Sequence, residues 1–192
     1  MSARRPPTRV PPVAFVPSGP GLGENLPSRA ILDETMKMTL AQFSINAKAN
    51  AYCPYSSFPV GAAVLARNGG IFMGCNVENA SYGATCCAER TAIFKAASEG
   101  VRHVVAVAIN SDATDFTAPC GLCRQVLREF TGRKSTLDDP DDESEEAQDM
   151  LVILVRSEGV RRGKDDSGLE MREFWLKKDL LPYSFGPEDL GN

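Results

Sequence analysis

Leu32, Met36, Leu40, Phe43 and Ala47 recur at three- and four-residue steps, the spacing of one buried stripe on a helix. They predict a first helix over residues 29–50, ended by Pro54. Two β-branched and apolar runs follow, residues 60–66 and 71–78. Asn68-Gly69-Gly70 between them supplies the positive-φ residues of a hairpin turn. A second helix is predicted from Cys87 to Gly100, the latter a natural residue just past a helix end. Residues 103–110, rich in Val and Ala, read as a buried strand. A third helix opens at Pro119-Cys120, where proline suits the first turn, and keeps Leu122, Val126, Leu127 and Phe130 on one side. Residues 151–155 form another apolar strand, and residues 177–181 a short helix before Pro182. Helix, hairpin, then helices and strands in alternation imply an α/β layered domain.

Composition adds boundaries to that pattern. The first 28 residues hold seven prolines and no hydrophobic period, and read as a disordered extension. Arg4, Arg5 and Arg9, with no acid before Glu24, have the bias of a mitochondrial presequence, but the prolines oppose the amphipathic helix it requires. No basic start leads into a compact apolar segment, and no apolar run approaches the roughly 20 residues needed to span a bilayer. The expectation is a cytoplasmic protein without a membrane partner, whose six cysteines stay reduced.

The net charge of −4 is uneven along the chain. Residues 138–149 hold eight carboxylates and no base; without them the chain stands at +4, of which residues 1–29 supply +3. That acidic run, within an insertion over residues 134–149, reads as a solvated loop between the third helix and a strand. The remainder is near neutral and lacks a Lys/Arg cluster that could follow a phosphate backbone, which argues against nucleic acid as a partner.

Two short strings carry chemistry: Cys87-Ala88-Glu89 and Pro119-Cys120-Gly121-Leu122-Cys123. This is the described signature of zinc-dependent nucleobase deaminases, a Cys or His, one residue, Glu, then Pro-Cys-x-x-Cys. Three thiolates, Cys87, Cys120 and Cys123, leave a fourth zinc position open, as catalytic sites do. Each string begins a helix, where free N–H groups and the dipole favour thiolates. Arg90 stands where it could donate to one sulfur, or could be an ordinary surface charge on the helix. Glu89 discriminates most, because a structural zinc has no use for a neighbouring carboxylate while a hydrolytic one needs a proton carrier. Cys53, Cys75 or Cys86 could instead close the set into a structural four-thiolate site. The lone His103 lies outside ligand spacing and reads as a surface or core residue.

The match extends to Tyr55-Ser56-Ser57-Phe58-Pro59-Val60-Gly61, Gly74-Cys75-Asn76-Val77-Glu78-Asn79-Ala80, Cys87-Ala88-Glu89-Arg90-Thr91-Ala92, Pro119-Cys120-Gly121-Leu122-Cys123-Arg124-Gln125 and Leu181-Pro182-Tyr183-Ser184-Phe185-Gly186. With these, residues 30–133 and 150–190 resemble the small, homotetrameric cytidine deaminases. The resemblance implies a three-layer α-β-α domain over residues 29–192 with a mixed five-stranded sheet. It implies hydrolysis of cytidine and 2′-deoxycytidine, with release of ammonia, in pyrimidine salvage. Carried over residue by residue, it gives Cys87, Cys120 and Cys123 as ligands of Zn2+ and Glu89 as proton shuttle. Asn76 and Glu78 would bind the sugar 3′-hydroxyl and Phe58 would line the pocket. Phe185 would reach the base from a neighbouring subunit of a homotetramer with shared active sites, and Tyr55 and Tyr82 would hold further pocket or interface positions.

On the residues alone, Asn76 and Glu78 share one face of the second strand and could equally be an edge strand's solvent face. On composition alone, Phe58 and Phe185 read as core packing. The proline-rich start, the acidic run and the charged stretch at residues 161–166 have no counterpart in compact members, and Gly83-Ala84-Thr85-Cys86 departs from the usual loop. A deaminase of another aminopyrimidine, a polynucleotide-editing deaminase and a silent zinc-binding scaffold are the rival readings.

Overall fold

The first helix begins at an aspartate. In the computed structural model, which describes residues 32–131, 149–157 and 169–190, Asp33 is extended and its carboxylate accepts the N–H of Met36 (2.8 Å). Such a cap satisfies one of the orphan donors of a helix start, so α1 spans Glu34–Lys48 and not residues 29–50. It has ended well before Pro54. The expected stripe is real: Leu40 and Ala47 are buried, and Leu32, Met36 and Phe43 pack beside them.

The strands are β1 Val60–Ala66, β2 Ile71–Cys75, β3 Val104–Ser111, β4 Leu151–Ser157 and β5 Leu169–Trp175. They form one mixed sheet in the order β2-β1-β3-β4-β5, in which only β3 and β4 run parallel. The hairpin turn is as expected. Gly69 has φ +84°, Gly69 N donates to Ala66 O (2.9 Å) and Ala66 N to Gly70 O (2.8 Å). The second strand stops at Cys75, three residues short of expectation. Beyond it, Val77 pairs with Cys86 instead of continuing against β1.

Two further helices, α2 Ala88–Ser98 and α3 Gly121–Arg128, complete the layers. The period-two alternation of the strands divides the core. Ala62, Val64, Val107, Ile109, Val152 and Leu154 face the α2 side, while Ala63, Leu65, Ala108, Ile153 and Val155 face α1. Both faces are covered, which explains why β1, β3 and β4 read as continuous apolar runs. The α2 end is also as expected: Gly100 has φ +89°, its N–H reaches Ala97 O, and Val101 N reaches Ala96 O. These two bonds are a Schellman closure.

Three expectations about side chains and ends need correcting. Pro119 precedes α3, and Cys120 is its cap, so proline is not the first helical residue. Leu122 is exposed, and Cys123 is buried in its place; Leu127 is buried, with Val126 and Phe130 packed against the same core, as expected. The short helix near the C-terminus is a π-helical turn over Leu176–Leu180, closed by Leu181 N on Leu176 O (2.8 Å). The proline-rich extension and nearly all of the acidic insertion lie outside the described residues, as does the 161–166 stretch. Asp149, the last acid of the run, is not simply solvated: its carboxylate accepts the N–H groups of Met150, Lys177 and Lys178. Among the described residues no helix is long and apolar enough to cross a membrane.

One close approach sets where α2 sits. A methyl group on Gly74 of β2 would run into Ala92 N and lie 2.5 Å from Ala88 O, both backbone atoms of α2. Gly74→Ala must therefore lift the helix from the sheet. We expect a loss of about 1–3 kcal/mol or more by urea unfolding, the range of overpacked cores. Gly83 serves as the comparison, because a methyl group added there would have nothing within 4 Å of it. Gly83→Ala should stay within about 0.5 kcal/mol of wild type.

Candidate metal centre and its surrounding pocket

Cys87 and Cys120 occupy equivalent positions. Each is the capping residue of its helix, with extended backbone (φ −72°, ψ 159° and φ −67°, ψ 167°), and neither side chain caps its own helix. The sulfurs are free to point at each other across the junction of α2 and α3. Cys123, one turn into α3, is fully buried and completes the group: the three sulfurs lie within 4.8 Å of one another, with Cys87 and Cys120 3.9 Å apart. Zinc–sulfur bonds of about 2.3 Å in a tetrahedron separate sulfurs by about 3.8 Å, so this donor set fits zinc. Among the described residues no fourth side chain joins it. Cys86 faces the Thr91 hydroxyl, and the Cys75 thiol donates to Asn50 O (3.2 Å). The closed four-thiolate alternative thus finds no support.

Charge around the sulfurs is arranged to favour thiolate. Arg90 Nη2 lies 3.5 Å from Cys87 Sγ and donates to Thr85 O (2.8 Å). Of the two readings open for Arg90, the sulfur partner is the observed one. The Cys87 thiol is pushed down to about 5, first by the hydrogen bond from Cys123 and then by Arg90. Cys123 moves up correspondingly, because the Cys87 thiolate holds its proton and burial penalises a second charge. Glu89 is 4% exposed, in the first turn of α2. Burial pushes its carboxyl up to about 7, with the Cys87 thiolate adding to the rise.

The neighbouring segments are fixed by backbone bonds. Tyr52 N donates to Asn76 O (2.9 Å) and Glu78 N to Tyr52 O (2.8 Å). On the other side, Val77 N donates to Cys86 O (2.8 Å) and Cys86 N to Val77 O (3.0 Å). Residues 76–78 are thereby held directly beside the start of α2. Asn76 and Glu78 do not point into open solvent. Asn76 Oδ1 accepts from Val60 N (2.9 Å) and its Nδ2 donates to Phe58 O (2.9 Å). Glu78 accepts from Tyr55 N (2.9 Å), Ser56 N (3.2 Å) and the Ser56 hydroxyl. The Ser56 hydrogen bond, first, and the two backbone donors hold its carboxyl below the usual range. Both residues therefore shape the Tyr55–Phe58 loop, a role that strand alternation alone does not show.

That loop contains Ser57 at φ +53° and leaves Phe58 exposed. The Tyr55 and Tyr82 rings meet at 6.0 Å between centroids, both exposed. Phe185 is exposed in the C-terminal segment and pairs with none of these rings among the described residues. Its backbone carbonyl accepts from Gln125 of α3 (3.1 Å).

Sequence reasoning missed the supports. Arg124 ties Pro119 O (2.8 Å), immediately before Cys120, to Leu180 O (2.7 Å). Arg128 is a buried arginine. The available signal was a cation on the apolar side of a helix, next to Leu127.

Comparison with known proteins agrees with this geometry. A family model described as the cytidine and deoxycytidylate deaminase zinc-binding region matches residues 34–137. A cytidine deaminase of Sporosarcina psychrophila is 56% identical over 147 residues, 77% of this chain and 89% of that protein. One from Halalkalibacterium halodurans is 54% identical over 49% of this chain and 71% of its own length. The crystal structure of cytidine deaminase from Burkholderia pseudomallei superposes with a TM-score of 0.60 at 35% identity, covering 77% of this chain and 98% of that one. The three-thiol centre, the adjoining buried glutamate and these matches place the chain in the cytidine and deoxycytidylate deaminase family, whose cofactor is zinc.

Proposed function

We propose that this protein hydrolyses cytidine and 2′-deoxycytidine to uridine and 2′-deoxyuridine, releasing ammonia, and that it acts in the cytoplasm as a homotetramer in pyrimidine salvage. The observation that carries the reading is a buried carboxylate, Glu89, set against three convergent thiols that fit zinc and leave one position open. A silent zinc scaffold gains nothing from burying a carboxyl there, since burial disfavours its charge.

In this reading Cys87, Cys120 and Cys123 hold the zinc. When bound, zinc supplies a coordinated water acidic enough to ionise near neutral pH. Glu89 would carry the protons: one from the attacking water to N3 of the cytosine ring, and a second, from the hydroxyl that the attack leaves on C4, to the departing amine. Its burial keeps bulk water from competing for them. Arg90 offsets negative charge on Cys87. Phe58, Tyr55 and Tyr82 form the apolar and aromatic wall for the nucleoside.

Asn76 and Glu78 keep their proposed part in gripping the sugar 3′-hydroxyl, with capacity left after their bonds to the protein. Asn76 retains one amide hydrogen, and a carboxylate can accept about four hydrogen bonds, of which Glu78 uses three. Phe185 is the ring that a neighbouring subunit supplies to the base. Its exposure in a single chain supports that assignment.

Glu89→Gln should retain zinc and fold while losing about 10²–10⁴ in kcat for cytidine, the span of general acid–base catalysis; near-normal turnover at full metal content would remove the proton-shuttle role. Stripping zinc with a strong chelator, or Cys120→Ala, should abolish or sharply reduce turnover and lower the thermal midpoint, because metal binding free energy is also folding free energy. Metal analysis and scanning calorimetry decide this, and an active, metal-free enzyme would refute it. Finally, Glu89→Gln and Phe185→Ala chains, dissociated and reassembled together, should regain cytidine turnover above the average of the two separate variants. Light scattering showing a fully active monomer would end the shared-pocket reading.

A further inference from the structure

Three neighbouring side chains on α3 hold the C-terminal segment along its length. Arg124 Nη1 donates to Leu180 O (2.7 Å), Gln125 Nε2 donates to Phe185 O (3.1 Å), and Arg128 Nε donates to Ser184 Oγ (3.1 Å). Arg128 Nη2 also pairs with Glu188, and its Nη1 donates to Thr131 Oγ1 (3.0 Å). The guanidinium is buried, with Arg128 4% exposed. A methyl group on Gly186 would collide with Arg128 Nη2, so the segment lies directly against the guanidinium at the residue after Phe185. Two internal bonds, Gly186 N to Asp189 Oδ2 (2.7 Å) and Asp189 N to Gly186 O (3.0 Å), stiffen the same stretch.

Phe185 itself is treated differently. Its own carbonyl accepts from Gln125, and the side chains of Ser184 before it and Glu188 after it are held by Arg128, yet Phe185 is 61% exposed. A segment docked only for stability would bury its largest apolar side chain, because that burial is the main gain available to it. Here the Arg128 guanidinium at the centre of the grip is buried, and the aromatic residue beside it is left outside.

We propose that Arg128 is a positioning residue for substrate binding: through Glu188 and Ser184 it fixes the direction in which the Phe185 ring is presented to a nucleoside base. The proposal rests on the deaminase reading above. Its physical basis is preorganisation. An arm that is ordered beforehand does not lose that freedom on binding, so releasing it weakens substrate affinity and leaves the proton transfers intact. Glu188 is the side chain to alter, because Glu188→Gln conserves shape and leaves Arg128 with Ser184 and Thr131.

The test is a double-mutant cycle on the zinc-loaded, full-length enzyme, comparing wild type, Glu188→Gln, Phe185→Ala and the double variant. Glu188→Gln should raise KM for cytidine about threefold or more with kcat, zinc content and molecular mass unchanged. Because the grip acts through the ring, the double variant should have the KM of Phe185→Ala alone, within about twofold. A wild-type KM in Glu188→Gln, or effects that multiply in the double variant, would overturn the proposal. Hydrogen exchange over residues 184–190 supplies an independent reading: Glu188→Gln should speed exchange at Phe185 and Gly186, and unchanged exchange would refute the grip. Should zinc-replete wild type fail to turn over cytidine, the deaminase reading falls first, and with it the substrate role, while the exchange data decide the grip separately.

Discussion

Two helix starts must meet end to end within reach of one ion, and the rest of the structure is arranged around that constraint. Helix starts carry unpaired N–H groups and a partial positive charge. Bringing two of them together is unfavourable unless anionic groups stand between them. The thiols of Cys87 and Cys120 supply those groups from capping positions that Ser, Thr or Asp usually fill with an oxygen. The helices therefore leave their own caps unmade and gain a shared partner at the junction. Gly74 allows α2 to lie low enough on the sheet for this, and the Arg124 tie to Pro119 fixes the chain entering Cys120.

The same constraint explains the distribution of polar groups. Arg90 reaches Cys87 while anchored to Thr85, so the protein itself holds the cation in place. Glu89 is buried in the first turn, where the helix N–H groups partly offset the desolvation of a carboxylate. On the far side, Asn76 and Glu78 organise the Tyr55–Phe58 loop, and the positive φ of Ser57 is sustained by that network.

Much of this was legible in the chain. The helix stripe of α1, the Asn68-Gly69-Gly70 turn, the Gly100 helix end and the apolar strands β1, β3 and β4 all follow from periodicity and backbone chemistry, because each is a local signal. The metal group was legible because its spacing is short and its residue types are rare. β5 was not found from its pattern, only implied by the family resemblance. It is an edge strand carrying Glu170, Arg172 and Glu173, and its pairing with β4 is made by backbone groups that leave no mark on composition. The early end of β2 was hidden for a related reason: Val77 makes its backbone pair with Cys86, across the intervening loop, and not with β1. Arg128 escaped notice because an arginine on a helix is ordinarily a surface charge, and its partners in the C-terminal segment lie about sixty residues downstream.

Thr131 lies shortly before the acidic run at residues 138–149, and Asp149 is its last acid. Thr131 is buried and tied to Arg128 by its hydroxyl. Asp149 accepts three backbone N–H groups, two of them from the π-helical turn. Both ends are thus moored to α3 and to the turn after β5, independently of what joins them. Closing a longer loop between fixed ends costs little, about 0.6 kcal/mol per doubling of length. This junction is consequently a place where the chain can lengthen, shorten or change its charge over evolutionary time while the register of β4 and the approach of the two metal-binding helices stay as they are.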